Sequence, residues 1–255
     1  MSDAFVKVEN GKFTRGGKSY YFMGANYWCG MNLGSTGEGG NRERLVRELD
    51  QMQAMGITNL RIMALTEGPD GSPYRILPAV VDTPGVLKEE LLLGLDFFLA
   101  EMGKRNMTAI VVLNNFWPWS GGMGQYLKWN GADSIPYPPP HPNGDWSVYQ
   151  RFIAQFYSNE KAVAQYNDAV KNIITRTNSI TGKAYVEDPT IMAWELCNEP
   201  RGIDNTEVFN KWIDSTAGFI KSMAPKQLVT TGSEGITSAL PAISNCRIVN
   251  RAART

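Results

Sequence analysis

The segment Met192–Pro200, MAWELCNEP, is an apolar run that stops on Asn198, Glu199 and Pro200. A segment that favours burial and ends on an amide and a carboxylate sets two polar groups at the rim of a hydrophobic element. A carboxyl in apolar, aromatic surroundings can hold a proton near neutrality, as a general acid must. Glu199 is therefore the candidate proton donor, the bland alternative being a surface loop acid or a first-turn acid of the next helix. Asn198 beside it can hydrogen-bond a substrate hydroxyl. Arg61, in NLRIMAL, is the cation of a second apolar run. A buried charge is costly unless paired, so Arg61 calls for a carboxylate or amide near the strand ends, and Glu195 faces the same demand. Either the two are paired core charges, or Arg61 orients the site carboxylates.

The stretch NNFWPWSGGMGQYLKWNG places Trp117, Trp119, Tyr126 and Trp129 among Gly, Pro and Ser. Such a composition is not that of a core, and flat aromatic faces suit the C–H surface of a pyranose. At least one or two of the four, with Trp117 and Trp119 as the candidates, are expected to line a substrate cleft, while the others pack the loop.

The elements that must position these groups alternate in type. Two strand-like runs flank Asn10-Gly11, a hairpin signal, and lead into an aromatic strand ending near Asn26. NRERLVRELDQMQAMG reads as a helix with Asn41 as its N-cap, Leu45, Leu49 and Met52 on one face, and Gly56 as its stop. Strands follow at 58–65 and 108–115, separated by a helix with Leu91, Leu95, Phe98 and Met102 on one side. After a long loop from 116 to about 147 come a helix at 158–178, the MAWELCNE strand, the helix TEVFNKWIDSTAGFIKSM and the strand QLVTTGSEG. This βα alternation through five strands predicts a parallel sheet covered by helices, as a barrel or an open doubly wound sheet. Neither GSTGEGG nor RGGKS completes a nucleotide-binding glycine fingerprint. Polar residues instead gather at strand C-termini, at Asn26, Arg61, Asn114, Asn115, Asn198 and Glu199, where barrel active sites are assembled. Alternation predicts that Ala193, Glu195, Cys197 and Glu199 share the barrel interior, with Met192, Trp194, Leu196 and Asn198 on the opposite face.

The 255 residues suit one large domain, and Lys plus Arg balance Asp plus Glu at 25 each, so a nucleic-acid partner is not expected. Cys29, Cys197 and Cys246 are widely spaced and odd in number, which fits neither a disulfide framework nor a CxxC metal site. His141, the single histidine, lies in a proline-rich loop and offers no His-rich metal centre. No apolar run reaches the roughly 18 residues of a membrane span, and MSDAFVKVENG lacks the cationic and apolar pattern of a signal peptide.

Taken in order, NLRIMAL, NNFWPWSGGMGQYLKWNG, IMAWELCNEPRG and TTGSEG resemble the endo-β-1,4-mannanases of glycoside hydrolase family 5, from about residue 5 to residue 235. The resemblance implies a (β/α)8 TIM-type barrel behind an N-terminal hairpin, with about five βα units in residues 1–235 and a tail, 236–255, unlike the family. It implies retaining, endo-acting hydrolysis of β-1,4-mannosidic bonds in mannan, galactomannan or glucomannan. No metal or organic cofactor is implied, and the expected partner is β-mannan polysaccharide or manno-oligosaccharide, met outside the cell by a protein that is a monomer if its barrel is complete. By matching motifs Arg61 is the site arginine, Asn198 the hydroxyl-binding asparagine and Glu199 the acid/base. The nucleophile implied is a second Glu ending a seventh strand, which no residue here matches; truncation of a longer product is the expected explanation. Glu234, ending the fifth strand, is expected to be structural rather than a substitute nucleophile. Two alternatives stand beside this reading: a related β-1,4-glucanase, and an incomplete barrel that binds glycan without cleaving it.

Overall fold

The computed structural model describes residues 4–69 and 71–235. The expected tail at 236–255 lies outside the described residues. Strands β1 (Val6–Glu9), β2 (Lys12–Arg15) and β3 (Lys18–Ser19) form a small antiparallel sheet. Its first turn is the Asn10-Gly11 pair, both at positive φ, 52° and 74°, as a tight hairpin turn demands.

The main sheet is parallel throughout, in the order β4 (Met23–Asn26), β5 (Ile57–Met63), β6 (Thr108–Val112), β7 (Ile191–Glu195), β8 (Leu228–Thr230). Between β4 and β5 lie α1 (Gly30–Gly34) and α2 (Arg42–Ala54), and α3 (Glu89–Lys104) crosses from β5 to β6. Helices α4 (Gly122–Trp129), α5 (Trp146–Ala154) and α6 (Glu160–Ile174) lie between β6 and β7, and α7 (Thr206–Met223) leads to β8. As expected, the Asn41 side chain caps α2 by accepting from Arg44 N at 2.9 Å, and Leu45, Leu49 and Met52 are buried.

One core fills the space between sheet and helices. Leu60, Ile62, Ala109, Val111, Leu113, Trp194 and Leu196 face it from the strands, and Phe98 and Ile173 meet them from the helices. A second cluster joins Val6 of the hairpin to Met192, Ala193 and Leu228, with Phe13, Tyr20 and Phe22 beside it. The hairpin thus covers the N-terminal ends of the sheet strands. Met192 belongs to this cluster, and Asn59 Nδ2 lies 3.5 Å from its Sδ, so it departs from the helix-facing place that alternation assigned. The register between β6 and β7 shifts at Ala109/Ile110, next to it.

The segment from 116 to 147 is not simply a loop. It contains a 3-10 turn, Pro118–Ser120, then α4, and it ends at the start of α5, whose cap Asp145 accepts from Ser147 N and Val148 N. Tyr126 is fully buried and Trp129 packs on the main core, so neither is a cleft aromatic. Tertiary packing of Met123, Tyr126 and Leu127 makes a helix of a glycine-rich sequence that propensity alone would leave irregular.

Candidate active site

The polar cluster forms where β5, β6, β7 and β8 end. Arg61 lies on the sheet face opposite the helix core, and its guanidinium grips Glu195 with two N–H donors, Nε to Oε2 at 2.9 Å and Nη2 to Oε1. Nη2 also donates to Asn198 Oδ1 at 2.8 Å. The half-buried cation thus has both a carboxylate and an amide to accept from it. Burial pushes the Glu195 carboxyl above the usual range; Arg61 opposes that rise and the charge of Glu199 adds to it. The Arg61 guanidinium also sits 4.8 Å over the Trp28 ring, and Trp28 packs against Trp119 with centroids 5.4 Å apart. Trp28 was missed from the sequence, although its position two residues past Asn26 at a strand end was a readable signal.

Asn198 does not sit opposite Glu199 as alternation predicted. Regular pairing of β7 ends at Glu195; Leu196 and Cys197 both join the helix-side core, and Asn198 and Glu199 both turn to the site. An isolated parallel bridge, Asn115 to Asn198, fixes the exit, with Asn198 N donating to Asn114 O at 2.8 Å. Asn198 Nδ2 donates to Asn115 Oδ1 at 3.0 Å, and the same oxygen accepts from Trp117 N at 3.0 Å. Asn115 thereby links the β6 end, the aromatic loop and the NEP segment.

Glu199 adopts a left-handed φ of 53° with its N–H on Gly232 O at 3.0 Å. Its Oε2 accepts from the indole Nε1 of Trp117 at 2.5 Å, so the carboxyl points toward the aromatic loop. Trp117 is partly exposed. The Arg201 guanidinium lies 4.8 Å over its ring, Tyr149 runs nearly parallel at 6.4 Å, and Phe116 and Trp146 meet it edgewise at 5.3 and 5.6 Å. Trp119 contacts Trp28 and is partly exposed. Glu234 is held by Arg201, with Nε to Oε2 at 2.7 Å, and Arg201 Nη1 reaches Gln150 at 2.9 Å. Three buried tyrosines hold the backbone beneath the site: Tyr149 donates to Phe116 O, Tyr166 to Leu196 O and Tyr157 to Arg201 O.

His141 is exposed in its loop, away from these contacts. Cys29 and Cys197 are free thiols, and Cys246 lies outside the described residues. Among the described residues no group of three or more His, Cys, Asp or Glu side chains is gathered to hold a metal ion, and no helix is long and apolar enough to cross a membrane.

A parallel βα sheet carrying an Arg-bound glutamate and an Asn-Glu pair at its strand C-termini has the layout of part of a TIM-type barrel, whose sites lie at that end. The chain belongs to the glycoside hydrolase family 5 β-mannosidase-like family, whose model matches residues 3–247. It is 33% identical to mannan endo-1,4-beta-mannosidase 1 of Arabidopsis thaliana, covering 92% of this chain and 52% of that protein. Among solved structures, a mutant of a family 5 mannosidase from Rhizomucor miehei in complex with mannosyl-fructose superposes with a TM-score of 0.85 at 42% identity, covering 93% of this chain and 56% of that one. The endo-β-1,4-mannanase of Thermotoga petrophila superposes at 0.67 with 28% identity, over 88% and 45% of the two chains. The chain spans about half the length of the curated relatives it matches.

Proposed function

We propose that this chain carries the acid/base half of a retaining, endo-acting glycoside hydrolase that cleaves internal β-1,4-mannosidic bonds. Glu199 protonates the leaving oxygen and then activates water, Asn198 binds a sugar hydroxyl, and Arg61 fixes Asn198 and Glu195. Trp119, backed by Trp28, offers the apolar surface for a mannose ring. The observation that carries the reading is the pairing of Glu199 with the aromatic loop through Trp117, beside the Arg61–Asn198 bond, in a member of this family. The proposed partner is β-mannan or its oligosaccharides, and the proposed setting is extracellular, where such polymers lie.

A retaining reaction needs a second carboxylate roughly 5 to 5.5 Å from the first. In the described network Glu195 is clamped by Arg61 and Glu234 by Arg201. That engagement favours one second reading, a chain that binds manno-oligosaccharide without cutting it. Reducing-end release from galactomannan and from carboxymethyl-cellulose, with the parent chain and with Glu199→Gln, separates the readings. Release from galactomannan over cellulose, falling about a hundredfold or more in Glu199→Gln, supports the first reading. Undiminished release by the variant sinks the role of Glu199, whereas oligosaccharide binding without release supports the second reading.

A further inference from the structure

We propose that Trp117 is a positioning residue for the Glu199 carboxyl rather than a sugar platform, and that the Arg201–Glu234 ion pair holds it in place. The proposal rests on the reading of Glu199 as proton donor. It starts from what surrounds the indole. A ring that stacks on a pyranose needs an open face. Trp117 is partly exposed, but a guanidinium lies over its ring at 4.8 Å, a tyrosine runs nearly parallel to it, and two aromatic neighbours meet it edgewise. Its one polar atom, Nε1, is aimed at Glu199 Oε2.

An indole N–H can only donate. Oε2 must therefore accept whether the carboxyl is charged or neutral, and in the neutral form the carbonyl oxygen, the better acceptor, takes this bond and leaves the proton on Oε1. One donor on one oxygen so sets the rotation of the carboxyl and favours one oxygen for the transferable proton. The indole is held in turn. Arg201 covers it while binding Glu234 just beyond β8 and Gln150 on α5, and Tyr149, also on α5, lies alongside. The Glu199 backbone is tied to the same β8 exit through Gly232 O. Both partners of the Trp117–Glu199 bond are thus referred to one strand end. This gives Glu234 a part that differs from nucleophile: it anchors the clamp.

The test has two arms. In steady-state hydrolysis of galactomannan, Trp117→Phe keeps an aromatic ring and removes the N–H; kcat should fall about tenfold or more with KM within about twofold. Trp119→Ala should chiefly raise KM. A rise in KM for Trp117→Phe at unchanged kcat overturns the proposal, because that is the signature of a lost binding surface. The second arm needs no activity. The indole N–H resonance that disappears in Trp117→Phe is followed in Glu199→Leu and Arg201→Gln, where upfield movement in the first and faster solvent exchange in the second are expected. An indole signal unmoved by Glu199→Leu overturns the proposal. If the parent chain releases no sugar, the acid/base reading fails by itself, and the resonance still decides whether Trp117 orders the carboxyl. If Trp117→Phe does not fold, Arg201→Gln takes its place in the kinetic arm, with a loss of about threefold or more expected in kcat alone.

Discussion

Gly232 is where the ends of β7 and β8 meet. Its φ is 79°, its carbonyl receives the Glu199 N–H, and a Cβ there would lie 1.9 Å from Cys197 O and 2.3 Å from Glu195 Oε1. Neither contact can be accommodated without moving the backbone or the Arg61-bound carboxylate. Gly232→Ala should therefore lower unfolding free energy by about 2 to 4 kcal/mol, combining strain at positive φ with overpacking. Urea denaturation followed by circular dichroism checks this; a change under about 0.5 kcal/mol would show that the turn relaxes freely. At this scale the sequence was partly legible. The charge of Arg61 among apolar strand residues called for a partner, and the half-buried guanidinium meets the buried Glu195 and Asn198. The side of Asn198 was not legible, since period-two alternation holds only while the strand does, and Glu199 enters a left-handed turn without the glycine that usually signals one.

Among the elements, Glu67 ties the segment after β5 to the start of α4. The residue is fully buried, its N–H donates to Ser120 O at 2.7 Å, and its Oε2 accepts from Gly122 N at 2.8 Å. Burial raises its carboxyl to about 7 against an ordinary 4.5, and the Gly122 N–H, Tyr126 and Arg75 offset only part of that rise. Oε1 and the Tyr126 hydroxyl each lack a well-directed partner, which is consistent with incomplete compensation. The folded state thus binds this proton more tightly than the unfolded chain. The resulting stabilisation is fully present below about 4.5, declines as pH rises through about 7, and amounts to on the order of 3 kcal/mol. Glu67→Gln should flatten that slope, as read from urea midpoints at acid and neutral pH; parallel slopes in parent and variant would refute it. The helix that Glu67 meets was read as loop. Its cues are tertiary, in the buried Met123, Tyr126 and Leu127, whereas the Asp145 cap of α5 was a local signal that went unread. The five strands and helices α2, α3, α6 and α7 were legible from their apolar spacing, with the Asn41 cap marking the start of α2.

For the molecule as a whole, β4 and β8 each pair on one side only among the described residues. Near β4, Tyr21 and Met23 are 79% and 62% exposed, so an apolar margin borders unpaired backbone groups. The chain should self-associate as its concentration rises, and Met23→Lys should weaken that association by placing a charge on the margin. Sedimentation velocity across a concentration series measures both, and identical profiles would show that this edge is not the contact. The opposite end of the sheet has a different consequence. Val6 and its hairpin neighbours stopper the strand N-termini against Met192, Ala193 and Leu228. That end of the sheet is therefore closed by the hairpin, so a ligand bound at the strand C-termini has to arrive from their own side.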